Sequence, residues 1–104
     1  MIEIKLRELA EIVNGTLIGD GDTLVSSTVE TDSRLAGPGS LFFAKPGEKA
    51  DGHDFVADAL ERGAVAAVVQ RQLPDQIHQI LVQDSVKALG VLAAWLVAEL
   101  RSRG

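Results

Sequence analysis

The sequence has no cysteine among its 104 residues. Disulfide bonds, thiolate metal sites and cysteine nucleophiles are therefore excluded for this chain. It also has no G-x-x-x-x-G-K-[ST] sequence, no G-x-G-x-x-G sequence after a predicted strand and no H-E-x-x-H sequence. The first two would hold nucleotide phosphates and the third would hold zinc. The sequence thus offers none of these standard routes to catalysis, and we expect no catalytic residue and no metal site within it.

Clustered positive charge is also lacking. The chain carries 15 acidic and 10 basic residues, a formal net charge of −5, and no two basic residues are adjacent. Phosphate neutralisation along a nucleic acid requires a clustered basic face, so we expect no nucleic-acid partner. A local anion site remains compatible with the pattern, because Lys45 and Lys49 lie close together with Arg34 upstream.

Long apolar runs are absent as well. The longest run near the C-terminus covers residues 91–98, and charged residues interrupt the apolar positions of the N-terminal segment. A membrane-spanning helix needs about 20 consecutive apolar residues, and a signal peptide needs an uninterrupted apolar core. We therefore expect a soluble, cytoplasmic protein with no membrane partner, in agreement with the lack of cysteine.

The composition is that of a folded domain. Apolar residues make up 46% of the chain and charged residues 24%, which is typical of globular proteins. A length of 104 residues suits one compact domain. The run Ala64-Val65-Ala66-Ala67-Val68-Val69 predicts a strand buried on both faces. With helices on either side, this predicts a single three-layer α/β domain with a mixed β-sheet.

The periodicity of apolar residues and the turn residues place the individual elements. Gly63 suits the end of the second helix, and Asp84 suits the N-cap of the last one. The helical pattern predicts helices over residues 5–13, from 53 or 54 to 62, and over about 17 residues after Asp84. Extended segments are predicted over residues 16–18, 24–31, 40–45, 64–69 and 78–82.

Two polar segments on either side of the strand at residues 40–45 are the candidate binding groups. The first is the turn Asp32-Ser33-Arg34, preceded by Thr31. Backbone N–H groups and a serine hydroxyl in such a turn can bind a phosphate or the edge of a base. The same residues also suit a purely structural turn closed by an Asp–Arg ion pair, and the sequence leaves both interpretations open.

The second polar segment is Lys49-Ala50-Asp51-Gly52-His53, which opens the second predicted helix. Unpaired N–H groups at a helix start favour an anion, but Asp51 or His53 also suits a cap that closes the helix. His53 has carboxylates close in sequence, whereas His78 suits the surface of a strand. Two polar segments around one strand could close on a ligand that has a phosphate and a polar ring.

The order of these motifs is more specific than any one of them. The sequences TDSR, PGSLFFA, DGHDF and GAVAAVV follow one another in a chain that resembles, over nearly its whole length, the N-terminal domain of the Mur ligases. These enzymes build the peptide of peptidoglycan. The resemblance is greater to the member that adds D-alanyl-D-alanine to UDP-N-acetylmuramoyl-tripeptide than to the sister that adds the third residue. That sister often carries His-Gln where this chain has Glu48-Lys49.

The resemblance implies a substrate-binding role for residues 1–104, with the UDP end of the substrate held here. It implies that Thr31, Asp32, Ser33 and Arg34 lie at the uridine or pyrophosphate. It implies further that the other wall of the site comprises Glu48, Lys49, Ala50, Asp51, Gly52 and His53. ATP and magnesium would be bound by a central P-loop domain, and a C-terminal domain would bring the dipeptide. The ligase domains beyond residue 104 would be partners in cis, and residues 1–104 alone would be inactive.

Three alternatives remain at this point. The chain could be the same domain of the sister ligase. It could be an interaction module that docks a partner through its last helix, with Trp95 at the side of the apolar stripe. It could be a small hydrolase that uses His53 with Asp51 or Asp54, although the sequence offers no nucleophile with a positioned base.

Overall fold

The computed structural model describes residues 3–46 and 51–103. It contains both helices and strands, as the apolar periodicity predicts. The strands are β1 (Ile4–Lys5), β2 (Thr16–Ile18), β3 (Leu24–Val25), β4 (Val29–Glu30), β5 (Leu41–Phe43), β6 (Ala66–Val69) and β7 (Gln79–Leu81). The helices are α1 (Leu6–Ile12), α2 (Val56–Glu61) and α3 (Ser85–Arg103), with 3-10 turns at Ser33–Leu35 and Gly52–Phe55.

The main sheet is mixed, as predicted. It has five strands in the order β2-β7-β6-β5-β4. The four strands β4, β5, β6 and β7 run parallel to one another, and β2 pairs antiparallel with β7 at the end of the sheet. All residues of β5 and β6 are buried, because a parallel sheet with crossover connections is covered on both faces.

Two separate apolar clusters cover the two faces of this sheet and confirm the predicted three-layer arrangement. On one face, α1 and α3 contribute Leu9 and Leu92 to a cluster that includes Leu41 and Phe43 of β5. On the other face, α2 packs on the intervening side chain, Phe42. Successive side chains of a strand point to opposite faces, so Phe42 and Phe43 serve different clusters.

The predicted strand over residues 24–31 is wrong as a single element. Val25 pairs with Ile4 in a separate two-stranded sheet, whereas Val29 pairs with Leu41 in the main sheet. Between them, the N–H of Ser26 donates to the carbonyl of Gly39 at 3.1 Å, so the chain leaves one sheet and enters the other. The weak apolar alternation of residues 24–31 reflects this change of sheet.

The helix ends follow the signals in the sequence. Asn14, with a φ of 56°, ends α1 in the left-handed region that asparagine tolerates. Asp84 caps α3, as predicted, since its carboxylate accepts the N–H of Lys87 at 3.0 Å. The second predicted helix begins as the 3-10 turn at Gly52–Phe55 and becomes α-helical at Val56.

The connection from β6 to β7 is shaped by one buried amide. Gln79 has no exposed surface. Its Oε1 accepts the N–H of Leu73 at 2.7 Å, and its Nε2 donates to the carbonyls of Leu73, Pro74 and Ile77 at 3.0–3.2 Å. The backbone groups of this turn therefore have partners although no strand or helix pairs them.

We expect Gly63→Ala to lower the free energy of unfolding by about 1–3 kcal/mol. Gly63 has a φ of +114°, and a Cβ atom there would lie 2.7 Å from the backbone of Pro38. The matched control is Gly90→Ala, because a Cβ atom at this α3 position meets no atom within 4 Å. Replacing a helical glycine by alanine should raise the free energy of unfolding by about 0.5–1 kcal/mol. Urea denaturation of both variants checks the pair, and equal effects would contradict the prediction.

Candidate functional site

Four chain segments meet at one edge of the main sheet. Because β4, β5, β6 and β7 are parallel, the residues that follow each of them emerge on the same side. In the described part of the chain, these segments are residues 31–34, 44–46 with 51–53, 70–71 and 82–85. We call this side of the sheet the carboxyl edge. Ligands of open α/β sheets bind outside the carboxyl ends of the strands, so this edge is the candidate site.

The first polar segment forms a tight turn at the carboxyl edge. Asp32 accepts three hydrogen bonds from Arg34: from its backbone N–H at 3.0 Å, from Nε at 3.0 Å and from Nη2 at 2.7 Å. The Arg34 guanidinium thereby lowers the pKa of the Asp32 carboxyl to about 2. The structural interpretation of this turn as one closed by an Asp–Arg pair is therefore confirmed. Thr31 is exposed beside it.

Ser33 is turned towards helix α2. The residue is buried, and its hydroxyl donates to the carboxylate of Asp58, which lowers the pKa of that carboxyl. Asp58 also pairs with Arg62 one helical turn later. The serine therefore fixes the turn after β4 to the first turn of α2, on one face of the sheet.

Asp51, like Asp32, accepts three hydrogen bonds at this edge, but from two different residues. Its Oδ1 accepts the backbone N–H of His53 at 3.0 Å and lies 2.6 Å from Nδ1 of the same residue. Its Oδ2 accepts a hydrogen bond from Nη1 of Arg71. The Arg71 guanidinium is the main cause that lowers the pKa of the Asp51 carboxyl well below its usual value. As the sequence allowed, Asp51 caps the turn that opens α2.

His53 joins the segment after β5 to the end of β6. The residue is buried, and its Nε2 accepts the backbone N–H of Gln70 at 2.8 Å. A neutral imidazole that accepts at Nε2 carries its proton on Nδ1, which therefore donates to Asp51. Both ring nitrogens are occupied within the chain, so His53 braces this edge, which is one of the two roles that the sequence left open.

Gln70 continues the connection to helix α3. Its Oε1 accepts the backbone N–H of Ser85 at 2.8 Å and the hydroxyl of Ser85 at 3.0 Å. Ser85 has no exposed surface. A continuous chain of hydrogen bonds therefore runs along the carboxyl edge through Arg71, Asp51, His53, Gln70 and Ser85.

Seven of the ten residues predicted for UDP binding lie in the described part of the chain, in the segments that follow β4 and β5. Asp32, Ser33 and Arg34 lie in the turn after β4, with Thr31 before them. Asp51 and His53 lie in the segment after β5, and Gly52 closes it by donating its N–H to the carbonyl of Lys45 at 2.7 Å. Three further predicted residues lie outside the described part of the chain: Glu48, Lys49 and Ala50. Contact with UDP stays a prediction for the whole set.

The predicted surface role of His78 is only partly met. The residue lies just before β7 and is half-buried. Its Nδ1 accepts the backbone N–H of Asp20 at 3.2 Å. This contact is on the opposite side of the sheet from the carboxyl edge, since Gln79 follows as the first residue of the strand.

Sequence reasoning missed Arg71, Gln70 and Asp58 as residues of this edge. The first two follow the run 64–69 directly, and that run was itself predicted as a buried strand. The carboxyl ends of parallel strands lie side by side, so Gln70-Arg71 could have been placed next to the segment after β5. Asp58 carried no such signal, because its contact with Ser33 depends on how α2 packs.

Metal binding finds no support within residues 3–46 and 51–103, where no group of three or more metal-ligating side chains comes together. In the same ranges, no helix is long and apolar enough to cross a membrane.

A cavity of about 860 Å³ lies beside the carboxyl edge, where the end of α1 faces the start of α3. Amide, hydroxyl and charged side chains line it, among them Asn14, Thr16, Gln70, Gln83 and Lys87.

The depressed pKa of Asp51 predicts how stability changes in acid. A carboxylate whose folded-state pKa lies below the usual 3.8 stabilises the fold above that pH, and the stabilisation is lost as the pH falls through the folded value. We expect the free energy of unfolding of Asp51→Asn to fall less steeply than that of wild type below about pH 4. Urea denaturation between pH 7 and pH 2 measures this. Asp32→Asn is the comparison, and its effect should be smaller because the Asp32–Arg34 pair stays within one exposed turn. If the free energy of unfolding falls equally steeply below about pH 4 in wild type and in Asp51→Asn, the prediction is contradicted.

Comparison with known proteins identifies relatives of the whole chain. A family model described as "Mur ligase family, catalytic domain" matches residues 26–98. The chain is 42% identical over 103 residues to UDP-N-acetylmuramoyl-tripeptide–D-alanyl-D-alanine ligase of Escherichia coli K12, covering 99% of this chain and 22% of that protein. The ligase of the same name from Mycobacterium tuberculosis is 46% identical over 101 residues, covering 92% of this chain and 19% of that protein.

A second kind of ligase also matches. The UDP-N-acetylmuramoyl-L-alanyl-D-glutamate–2,6-diaminopimelate ligase of Geobacillus thermodenitrificans is 41% identical over 90 residues, covering 86% of this chain and 18% of that protein. The shared sequence therefore extends across two enzymes of peptidoglycan precursor assembly.

Solved structures agree with the fold. MurF from Acinetobacter baumannii superposes with a TM-score of 0.81 at 32% identity, covering 91% of this chain and 21% of that one. MurF ligase from Thermotoga maritima, solved in complex with ADP, gives a TM-score of 0.60 at 33% identity, covering 66% of this chain and 16% of that one. The chain spans about a fifth of the length of the relatives it matches. The three-layer fold, the family model over residues 26–98 and relatives above 40% identity together show that the chain belongs to the Mur ligase family.

Proposed function

We propose that residues 1–104 form the N-terminal domain, holding the UDP moiety, of a ligase that adds D-alanyl-D-alanine to UDP-N-acetylmuramoyl-tripeptide. The observation that carries this proposal is the 42% identity over 99% of the chain to the Escherichia coli enzyme with that activity in its name. In the complete enzyme, the reaction is an ATP-dependent amide bond formation. Residues 1–104 supply substrate binding and no catalytic group.

The geometry of the carboxyl edge supports a nucleotide site there. The turn at residues 31–34 and the segment at 51–53 both follow parallel strands that are neighbours in the sheet. Arg34 lies at the surface with 79% of its side chain exposed, so its guanidinium can reach an anion while Asp32 holds it. Gly52 lets the chain pass close to the backbone of Lys45, since a Cβ atom there would lie 2.5 Å from the Lys45 nitrogen. The proposed site comprises Thr31, Asp32, Ser33, Arg34, Glu48, Lys49, Ala50, Asp51, Gly52 and His53.

ATP and Mg²⁺ belong to other parts of the proposed enzyme. The sequence of 104 residues has no P-loop motif, and the described ranges bring no metal-ligating cluster together. We therefore assign neither ATP nor Mg²⁺ to the described residues of this chain. The proposed partners are the UDP-linked tripeptide precursor and the remaining ligase domains in cis, in the cytoplasm, with no nucleic acid or membrane involved.

The outward face of α3 supports a place within a larger enzyme. Residues 88–98 of this helix carry no charge, and large apolar side chains stay exposed on it: Val86, Val91, Val97 and Leu100. Exposed apolar faces of this kind mark contact surfaces. In the proposed function this face packs on other ligase domains. An independent interaction module would use the same face, and detecting a stable self-associated or partner-bound state of the 104-residue chain by ultracentrifugation would favour that second function.

The sister ligase that adds the third residue remains the alternative within the family. It is favoured by the 41% identity to the Geobacillus enzyme, and residues 1–104 bind the same UDP end in either case. Assaying the complete ligase with D-alanyl-D-alanine and with diaminopimelate as acceptors separates the two. Turnover with diaminopimelate alone would overturn the assignment to the D-alanyl-D-alanine enzyme.

We expect UDP and UDP-N-acetylmuramoyl-tripeptide to shift the amide resonances of residues 31–34 and 48–53 in a titration of the 104-residue chain. The physical reason is that these residues form the two walls of the proposed site. Affinity should be modest, because contacts from the remaining domains are missing.

Chemical-shift mapping supplies its own internal control in α3. Residues 93–98 lie along this helix away from the carboxyl edge, so their resonances should stay in place. Shifts confined to α3, or no shifts at millimolar UDP, would contradict the proposed site.

A further inference from the structure

Arg71 lies at the carboxyl end of β6, two residues after the last residue of that strand. Its Nη1 donates to Asp51, and its Nη2 lies 3.9 Å from Oδ1 of Asp54. The side chain is 56% exposed. A guanidinium has five N–H donors, so one hydrogen bond to Asp51 leaves most of its donors available to an anion.

Asp51 and His53 hold the guanidinium of Arg71 in position. Asp51 is held by two hydrogen bonds from His53, and His53 is buried and anchored to the backbone N–H of Gln70. Arginine loses less freedom on binding an anion when its planar group is already oriented. Arg71 is therefore an oriented cation at the carboxyl edge, not a freely moving surface charge.

The charge balance of the described edge calls for such a cation. Five carboxylates lie in the described segments of this edge and at the start of α2: Asp32, Asp51, Asp54, Asp58 and Asp84. Arg34, Arg62 and Arg71 each pair with a carboxylate of this set, so the carboxylates outnumber the arginines. A diphosphate brought to this edge would meet repulsion from these carboxylates unless an arginine compensated it.

We propose that Arg71 is a specificity-determining residue of the nucleotide site, which binds the diphosphate of UDP while Asp51 and His53 hold its guanidinium in place. This inference rests on the proposed function. Arg71 contributes little to binding of the uracil and ribose, so it makes the site prefer UDP over uridine.

The experiment compares UDP and uridine by isothermal titration calorimetry with wild type and Arg71→Gln. We expect Arg71→Gln to weaken UDP binding at least about tenfold, since charge-assisted hydrogen bonds to the diphosphate are lost. Uridine binding should change less than about twofold, because uridine has no phosphate for Arg71 to contact. Arg71→Lys keeps the charge without the planar donor set, so its affinity for UDP should lie between those of wild type and Arg71→Gln.

The matched control is Arg7→Gln. Arg7 is also 56% exposed and also pairs with an aspartate, Asp22, but it lies beside the two-stranded sheet. Its replacement should leave UDP affinity within about twofold of wild type. Thermal denaturation of each variant verifies that it is folded before titration.

A double-mutant cycle separates ligand contact from neutralisation of Asp51. If Arg71 contacts the diphosphate, adding Arg71→Gln to Asp51→Asn still costs about tenfold in UDP affinity. If Arg71 only neutralises Asp51, the added substitution costs nothing, and the inference is overturned. Equal losses for UDP and uridine overturn it too, since they indicate a purely structural role. Wild type that binds no UDP overturns the proposed function itself, whereas wild-type binding with unchanged Arg71→Gln affinity overturns the inference alone.

Discussion

Burial of β5 and β6 on both faces is the constraint on which the rest of the fold depends. Phe42 packs under α2, and Phe43 packs under α1 and α3, so neither face of these strands can be left to solvent. Each large aromatic side chain buries about 150–250 Å². Helices are therefore needed on both sides of the sheet, and α2 crosses from β5 to β6 so that the two strands run parallel.

Parallel strands bring their following segments to one edge, and the chain uses that edge for its polar residues. The hydrogen bonds from Arg71 through Asp51 and His53 to Gln70 join two of these segments, and Gln70 joins a third through Ser85. Within residues 3–46 and 51–103, no buried side-chain nitrogen or oxygen atom lacks a hydrogen-bond partner, which is the condition for a polar network to stabilise a fold. The same bonds that stabilise the edge also set the positions of the groups proposed to meet the ligand.

Most of the fold could be predicted from the sequence because its signals are local. A few neighbouring residues are enough to predict the strand in the run 64–69, the end of α1 at Asn14-Gly15 and the Asp84 cap. The break in residues 24–31 could not be predicted, since it depends on the pairing of Val25 with Ile4 and of Val29 with Leu41. The site divides in the same way. The capping role of Asp51 is local, but the partners Arg71 and Asp58 come from other segments and are set by packing.

The buried amide of Gln79 has a consequence for the evolution and engineering of this domain. One side chain supplies the hydrogen bonds that hold the turn before β7, so the path of the turn is encoded from within the strand. At the surface of the turn, Gln72 Nε2 adds a hydrogen bond to Oδ1 of Asp75 at 2.9 Å, whereas Gln76 is exposed and lies next to the well-held segment. Because the buried amide holds the backbone of the turn, the exposed Gln76 is the position in it where substitution is tolerated and where a fluorophore or affinity tag can be attached.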